Sequence, residues 1–152
     1  MPSANATEGN ITLAAVTATI PTTSPLAREP NAAWARPWLR AEGVAAFAAG
    51  LALYGWLGGP WLAVVPLLLV PDASVIGYIR GPRLGAITYN VFHNWALGLA
   101  VLGLGLATDI DAIALAGSIL IAHVGMDRAA GYGLKLPTSF HDTHLGRIGR
   151  SG

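Results

Sequence analysis

Four apolar segments, each close to the length of a membrane-spanning helix, constrain this chain more than any other feature. They run from about Trp38 to Leu57, Trp61 to Ile79, Leu84 to Ala107 and Ile113 to Ala130. A helix needs roughly 20 apolar residues to cross the hydrocarbon core of a bilayer. Because short turns connect the segments, neighbouring spans must be antiparallel. The sequence therefore predicts an all-α fold, a four-helix transmembrane bundle with up-down topology.

The composition is typical of a membrane protein. Hydrophobic residues make up 53% of the chain and charged residues 11%, whereas soluble domains carry roughly 25% charged residues. The formal net charge of +1 gives no reason to expect a nucleic-acid partner. We expect the lipid bilayer to be the main partner, and the sequence leaves open a homo-oligomer or a subunit of a larger membrane complex.

Every arginine and lysine falls on one side of the predicted bundle. Three precede the first span, two separate the second from the third, and the others follow the fourth. They are Arg28, Arg36, Arg40, Arg80, Arg83, Arg128, Lys135, Arg147 and Arg150. Loops rich in Lys and Arg stay in the cytoplasm. The pattern therefore predicts a multi-pass protein of the inner (cytoplasmic) membrane with both termini in the cytoplasm.

The chain divides into three regions. Residues 1–33 are rich in Ala, Thr and Pro and lack an apolar pattern, which predicts a disordered tail. Residues 34–131 form the predicted membrane domain. Residues 132–152 are a polar cytoplasmic tail, whose glycines and Pro137 favour a loop that folds back over the cytoplasmic mouth of the bundle.

Ionisable side chains from three different spans lie in the cytoplasmic half of the predicted bundle. Counted along straight helices from the nearest arginine, Asp72 is about 12 Å deep, His93 about 15 Å and His123 about 7 Å. Asp127 lies at the boundary and shares a helix face with His123, because the two are four residues apart. Ionisable groups inside a membrane are rare and usually functional.

A metal site is one interpretation of these residues. The chain has no cysteine, and imidazole with carboxylate suits zinc, iron or manganese. The expected ligands are Asp72, His93, His123, Asp127 and, from the folded-back tail, His144. A metal-bound water would be the nucleophile. His141 or Asp142 would then be the catalytic group that moves its proton.

Three functions remain open at this point, and the sequence does not decide whether the protein is an enzyme. The first is a metal-dependent membrane hydrolase that acts on a lipid-phase small molecule. The second is a non-catalytic protein whose polar cluster holds the bundle together, with Asp127 paired to Arg128 or Lys135. The third is a haem- or pigment-binding protein that uses His93 and His123, although their depths differ by about 8 Å.

Five motifs together resemble the bacterial domain-of-unknown-function 4260 family. They are Pro71-Asp-Ala-Ser74 with Gly77-Tyr78, Tyr89-Asn-Val-Phe-His93, His123 with Asp127-Arg128, Gly131-Tyr-Gly-Leu-Lys135 and Asp142-Thr-His-Leu-Gly146. The resemblance covers about residues 38–150. It implies a short integral membrane protein and carries no activity. A looser likeness, by analogy only, is to bacterial membrane-bound metal-dependent hydrolases, which combine Pro-Asp with Thr-His elements.

Overall fold

The computed structural model describes residues 31–149, and they are mostly helical. The predicted disordered tail, residues 1–33, lies outside the described residues apart from its last three, which belong to the first helix. The α-helices are α1 (Asn31–Trp56), α2 (Trp61–Leu69), α3 (Pro82–Phe92), α4 (Trp95–Ala107) and α5 (Asp111–Ala130). A 3-10 helix (Pro71–Arg80) follows α2, and two short strands, β1 (Asp142–Thr143) and β2 (Gly146–Arg147), form an antiparallel hairpin.

Helix α5 is the centre of the fold. It packs against α1 on one side and against α4 on another, and the 3-10 helix packs against α3. Glycines allow the backbones of α1 and α5 to touch. A Cβ atom added at Gly50 would lie 2.6 Å from the backbone nitrogen of Ala122, and one at Gly125 would lie 2.4 Å from that of Phe47. Small residues at such crossings are typical of helix packing in membranes.

Two helices of the described region are long and apolar enough to cross a membrane, namely Trp61–Arg80 and Asp111–Ala130. The bent pair of α3 and α4 makes a third if it counts as one span. Large apolar side chains of Trp61–Arg80 point outward, among them Leu62 and Ile79, which are 96% and 82% exposed. These features indicate a membrane protein. Helix α1 does not meet the same criterion, so the predicted four-span bundle remains a prediction.

The second predicted span changes its helix type halfway. Pro66 and Pro71 each lack a backbone N–H, which predicts a kink. In the structure Pro66 is accommodated inside α2, whereas Pro71 is the first residue of the 3-10 helix. This helix packs closely on α3 because Gly77 leaves room for Thr88, whose hydroxyl donates to the carbonyl of Ser74 at 2.9 Å. Asp72 thereby lies in the first turn of the 3-10 helix.

The third predicted span is not one continuous helix. It breaks between α3 and α4, which meet at an angle of 43°. The side chain of Asn94 explains the break, since its Oδ1 accepts from the N–H of Leu97 and caps α4, while its Nδ2 donates to the carbonyl of Asn90. Side-chain capping of this kind competes with continuation of a helix. The break frees the carbonyl of His93, which accepts from Nη2 of Arg128 at 3.0 Å.

The polar tail folds back on the helices. Gly131 ends α5 in the left-handed conformation, with φ of 93°. The amide of Asn90 then holds the backbone of Lys135 by two hydrogen bonds, of 2.9 Å to its carbonyl and 2.7 Å from its N–H. Lys135 forms a β-bridge with Thr143, next to the β1–β2 hairpin. The tail is therefore anchored to α3, in the segment that leads to His93.

Candidate metal centre

Two buried histidines meet at the break in the third span. His93 is the C-cap residue of α3, and His123 lies in the second half of α5. Both are fully buried, and their Nε2 atoms are 2.9 Å apart. The rings are nearly perpendicular, with an interplanar angle of 75°. Two histidines that are 30 residues apart in sequence thus point the same ring atom at one place.

Backbone carbonyls determine the tautomer of both rings. Nδ1 of His93 lies 2.8 Å from the carbonyl oxygen of Tyr89, and Nδ1 of His123 lies 2.6 Å from that of Leu68. A carbonyl can only accept a hydrogen bond, so each Nδ1 carries the proton. Each neutral ring therefore presents an unprotonated Nε2. A histidine that ligates a metal commonly donates its other N–H to a carbonyl in the same way.

Asp72 completes a group of three ligand atoms. Its Oδ1 lies 3.3 Å from Nε2 of His93 and 3.6 Å from Nε2 of His123. Two ligand atoms of a tetrahedral zinc lie roughly 3.3 Å apart when each bond is about 2.0–2.1 Å long. The two distances that involve Asp72 are close to this spacing, and the two nitrogen atoms are somewhat nearer to each other. Among residues 31–149, these three form the group of His, Asp or Glu side chains able to share a metal ion.

Asp127 and Tyr89 border this group. Asp127 Oδ2 accepts the hydroxyl of Tyr89 at 2.8 Å and lies 3.7 Å from Nε2 of His93. The ring of Tyr89 also stacks on that of His93, with centroids 3.5 Å apart. Asp127 is thus in the shared pocket that the spacing from His123 predicts, although its carboxylate is committed to Tyr89. It lies beside the metal-capable group and is not one of its three members.

The centre is closed on most sides and open on one. His93, His123 and Asp127 are buried, whereas the side chain of Asp72 is 47% exposed. Asp72 is therefore the most exposed of the three ligand-bearing side chains. Catalytic zinc sites combine three protein ligands with one open position, and this group offers three ligand atoms.

The tail residues do not join the group. His144 is exposed, and its Nδ1 accepts the N–H of Leu134 at 2.8 Å. His141 is also exposed. The carboxylate of Asp142 accepts from the hydroxyl of Thr138 and pairs with Arg147 at 3.3 Å. The tail thus folds back as its composition predicts, but these three side chains serve the tail itself.

Lys135 lies buried beside this site, which the sequence pattern did not predict. It is 4% exposed, and its Nζ donates to the carbonyl of Phe140 at 2.8 Å. The same Nζ lies 5.0 Å from the ring centre of Tyr89. Burial lowers the pKa of Lys135, and the nearby carboxylates of Asp127 and Asp72 offset only part of this decrease. In the sequence it is the one lysine of the chain, and it was named there as a partner for Asp127 and as the end of a motif.

The geometry bears on the haem interpretation as well. His93 and His123 meet, although counting along straight helices gave them depths that differ by about 8 Å. Two imidazoles on opposite faces of a macrocyclic metal would be about 4 Å apart at ordinary metal–imidazole bond lengths. The observed 2.9 Å between the Nε2 atoms is too short for that arrangement.

The comparisons with known proteins identify a family and no activity. The family model described as Domain of unknown function (DUF4260) matches residues 36–148. The chain belongs to this family, which confirms the resemblance carried by its motifs. No curated protein and no solved structure shows significant similarity to the chain. The function must therefore be argued from the residues of the centre.

Proposed function

We propose that this member of the DUF4260 family is a membrane metalloprotein in which Asp72, His93 and His123 hold one divalent metal ion. The observation that carries the proposal is the convergence of two Nε2 atoms at 2.9 Å, beside a carboxylate oxygen, in rings whose Nδ1 atoms face backbone carbonyls. Two lone pairs repel at this distance unless a cation lies between them. Zinc, manganese and iron suit a centre of imidazole and carboxylate.

The proposed activity is hydrolysis of a small molecule in the lipid phase. Asp72, His93 and His123 would hold the metal and leave a position for water, and the metal would supply a water of lowered pKa as the nucleophile. The exposed side of Asp72 supplies the entrance. Asp127 is close enough to the centre to receive a proton, and Tyr89 holds its carboxylate in place.

The proposed placement in the membrane has four spans, with both termini in the cytoplasm. Helix α1 would be the first span, the continuous Trp61–Arg80 the second, the bent pair α3 and α4 the third, and α5 the fourth. The segregation of Arg and Lys supports this orientation in an inner membrane. The metal centre would then lie in the cytoplasmic half of the bilayer, below the folded-back tail.

One observation favours a second function, a non-catalytic polar cluster that stabilises the bundle. The 2.9 Å between the Nε2 atoms equals the usual length of a nitrogen-centred hydrogen bond. A single proton shared by His93 and His123, balanced by the carboxylate of Asp72, would satisfy both rings without a metal. The two functions differ in whether the purified protein binds metal.

The deciding experiment measures metal content after loading. Full-length protein in detergent is stripped with a chelator, incubated with Zn²⁺ or Mn²⁺, desalted and analysed by elemental mass spectrometry. We expect one ion per chain for the wild type and loss of stoichiometric binding in Asp72→Asn. This substitution removes the negative charge of a partly exposed side chain and keeps its shape. Substitution with Co²⁺ should give the visible absorption of a tetrahedral ion.

A histidine from the tail provides the matched control. His144→Ala removes an imidazole that lies outside the group of three, so metal binding should be unchanged. His123→Ala should bind no metal, and where it folds poorly the Asp72→Asn variant still decides the question. A wild-type protein that stays metal-free under all loading conditions would overturn the metal proposal in favour of the shared proton.

A further inference from the structure

A second site lies between the start of α1, the end of α5 and the β-hairpin. A cavity of about 500 Å³ opens there. Its volume is within the range of small-molecule sites, roughly 300–1,000 Å³. Four arginines line it, Arg36 and Arg40 of α1, Arg128 of α5 and Arg147 of β2. Elements far apart in sequence thus bring arginines to one place.

The positive charge of this cavity is largely uncompensated. No acidic side chain is among the described lining residues. Within residues 31–149, only Arg147 of the four arginines forms an ion pair, with Asp142. Arg128 donates to two backbone carbonyls, those of Tyr132 and His93, which fix its guanidinium without neutralising it. A cavity with this charge attracts an anion with more than one negative charge.

The guanidinium groups of α1 reach across to the folded-back tail. A Cβ atom added at Gly131 would lie 3.1 Å from Nη2 of Arg40, and one at Gly146 would lie 3.6 Å from Nη2 of Arg36. Both glycines have positive φ, of 93° and 113°. Glycine adopts this backbone conformation freely, and its missing side chain leaves the space that the arginines enter. The cavity therefore exists only because the tail packs against α1.

Apolar neighbours of the cavity favour a position at a membrane surface. Leu39 and Ile148 contribute to its lining. Trp34 and Trp38, on the same part of α1 as the arginines, are each 66% exposed. Exposed tryptophans are enriched where a membrane protein meets the lipid head groups. A ligand here meets arginines at its head and apolar surface beside it.

We infer that this arginine cavity binds a phosphate group carried by a membrane amphiphile. Guanidinium groups form paired, charge-assisted hydrogen bonds with phosphate oxygens. A phosphomonoester at the head of a lipid supplies two negative charges and an apolar body, which match the arginines and the lining described above. The inference does not depend on the metal centre, and it concerns a different set of residues.

The test measures binding of short-chain lipids to the full-length protein in detergent, with chelator present so that the metal centre has no influence. Tryptophan fluorescence reports binding of dioctanoyl phosphatidic acid, with dioctanoyl phosphatidylcholine and inorganic phosphate as comparisons. We expect saturable binding of phosphatidic acid at one molecule per chain, and much weaker binding of the other two. The double variant Arg36→Gln with Arg40→Gln should weaken the binding of phosphatidic acid by at least about tenfold, because it removes charge-assisted hydrogen bonds to the phosphate group.

A second pair of arginines separates a built site from general attraction of a basic surface. Arg80 and Arg83 are exposed, lie on the same predicted side of the membrane and do not line the cavity. Arg80→Gln with Arg83→Gln should leave the affinity unchanged. Equal losses in the two double variants, or no saturable binding, would overturn the site. Equal affinity for inorganic phosphate would overturn the membrane amphiphile as the source of the phosphate group.

Discussion

Replacing Gly105 by alanine should separate α4 from α5, whereas the same change at Gly103 should be harmless. A Cβ atom at Gly105 would lie 2.2 Å from the backbone nitrogen of Ala114, where ordinary contact begins at 3.4 Å. The two backbones would have to part by the difference, about 1.2 Å. No flexible side chain can absorb this movement, because the opposing atoms belong to the backbone of α5.

The expected change in the free energy of unfolding follows from these Cβ distances at Gly105 and Gly103. Overpacking of a close contact costs typically about 1–3 kcal/mol. Gly105→Ala should therefore lower the free energy of unfolding by this amount. A Cβ atom at Gly103 meets no atom within 4 Å, so Gly103→Ala should raise the free energy of unfolding by up to about 1 kcal/mol through better helix propensity.

Equilibrium unfolding of the detergent-solubilised variants, followed by tryptophan fluorescence, measures both values. The two substitutions are chemically identical and two residues apart in the same helix, so they share any effect of expression or detergent. Equal stabilities would refute the backbone contact between α4 and α5 at Gly105.

Two further predictions concern the tail and the membrane placement. Burial lowers the pKa of Lys135 below its ordinary 10.5. The unfolded chain therefore binds the proton of this side chain more tightly than the folded protein does. The free energy of unfolding should consequently rise as the pH increases from the lowered pKa towards 10.5. Thermal unfolding between pH 7 and 10 should show this rise in the wild type and a flatter profile in Lys135→Met; the same slope in both would contradict it. A phosphatase reporter that works only in the periplasm, fused after Gly152, should be inactive, and an active fusion would contradict the cytoplasmic C-terminus.

Properties that depend on local sequence were predictable. The helical class follows from long apolar segments between short turns, and the membrane-compatible helices Trp61–Arg80 and Asp111–Ala130 follow from their length and composition. The proximity of His123 and Asp127 follows from a spacing of four residues on one helix. The chemistry of proline predicts an interruption at Pro71, where a 3-10 helix begins.

The break in the third span was missed because hydropathy does not register hydrogen bonds. The segment from Leu84 to Ala107 is mostly apolar, and it has the length of one span. Asn94 nevertheless ends one helix and caps the next by bonding to the local backbone.

By itself the sequence determined the composition of the site: histidine and aspartate without cysteine, within apolar helices, with arginines at one end. Only the tertiary structure decided which of these residues meet. It placed Asp72, His93 and His123 together and left His144 with the backbone of the tail. It also buried Lys135 and gathered the arginines of α1 and α5 around one cavity. The physical reason is that these contacts join residues distant in sequence, and local periodicity contains no information about the packing that brings them together.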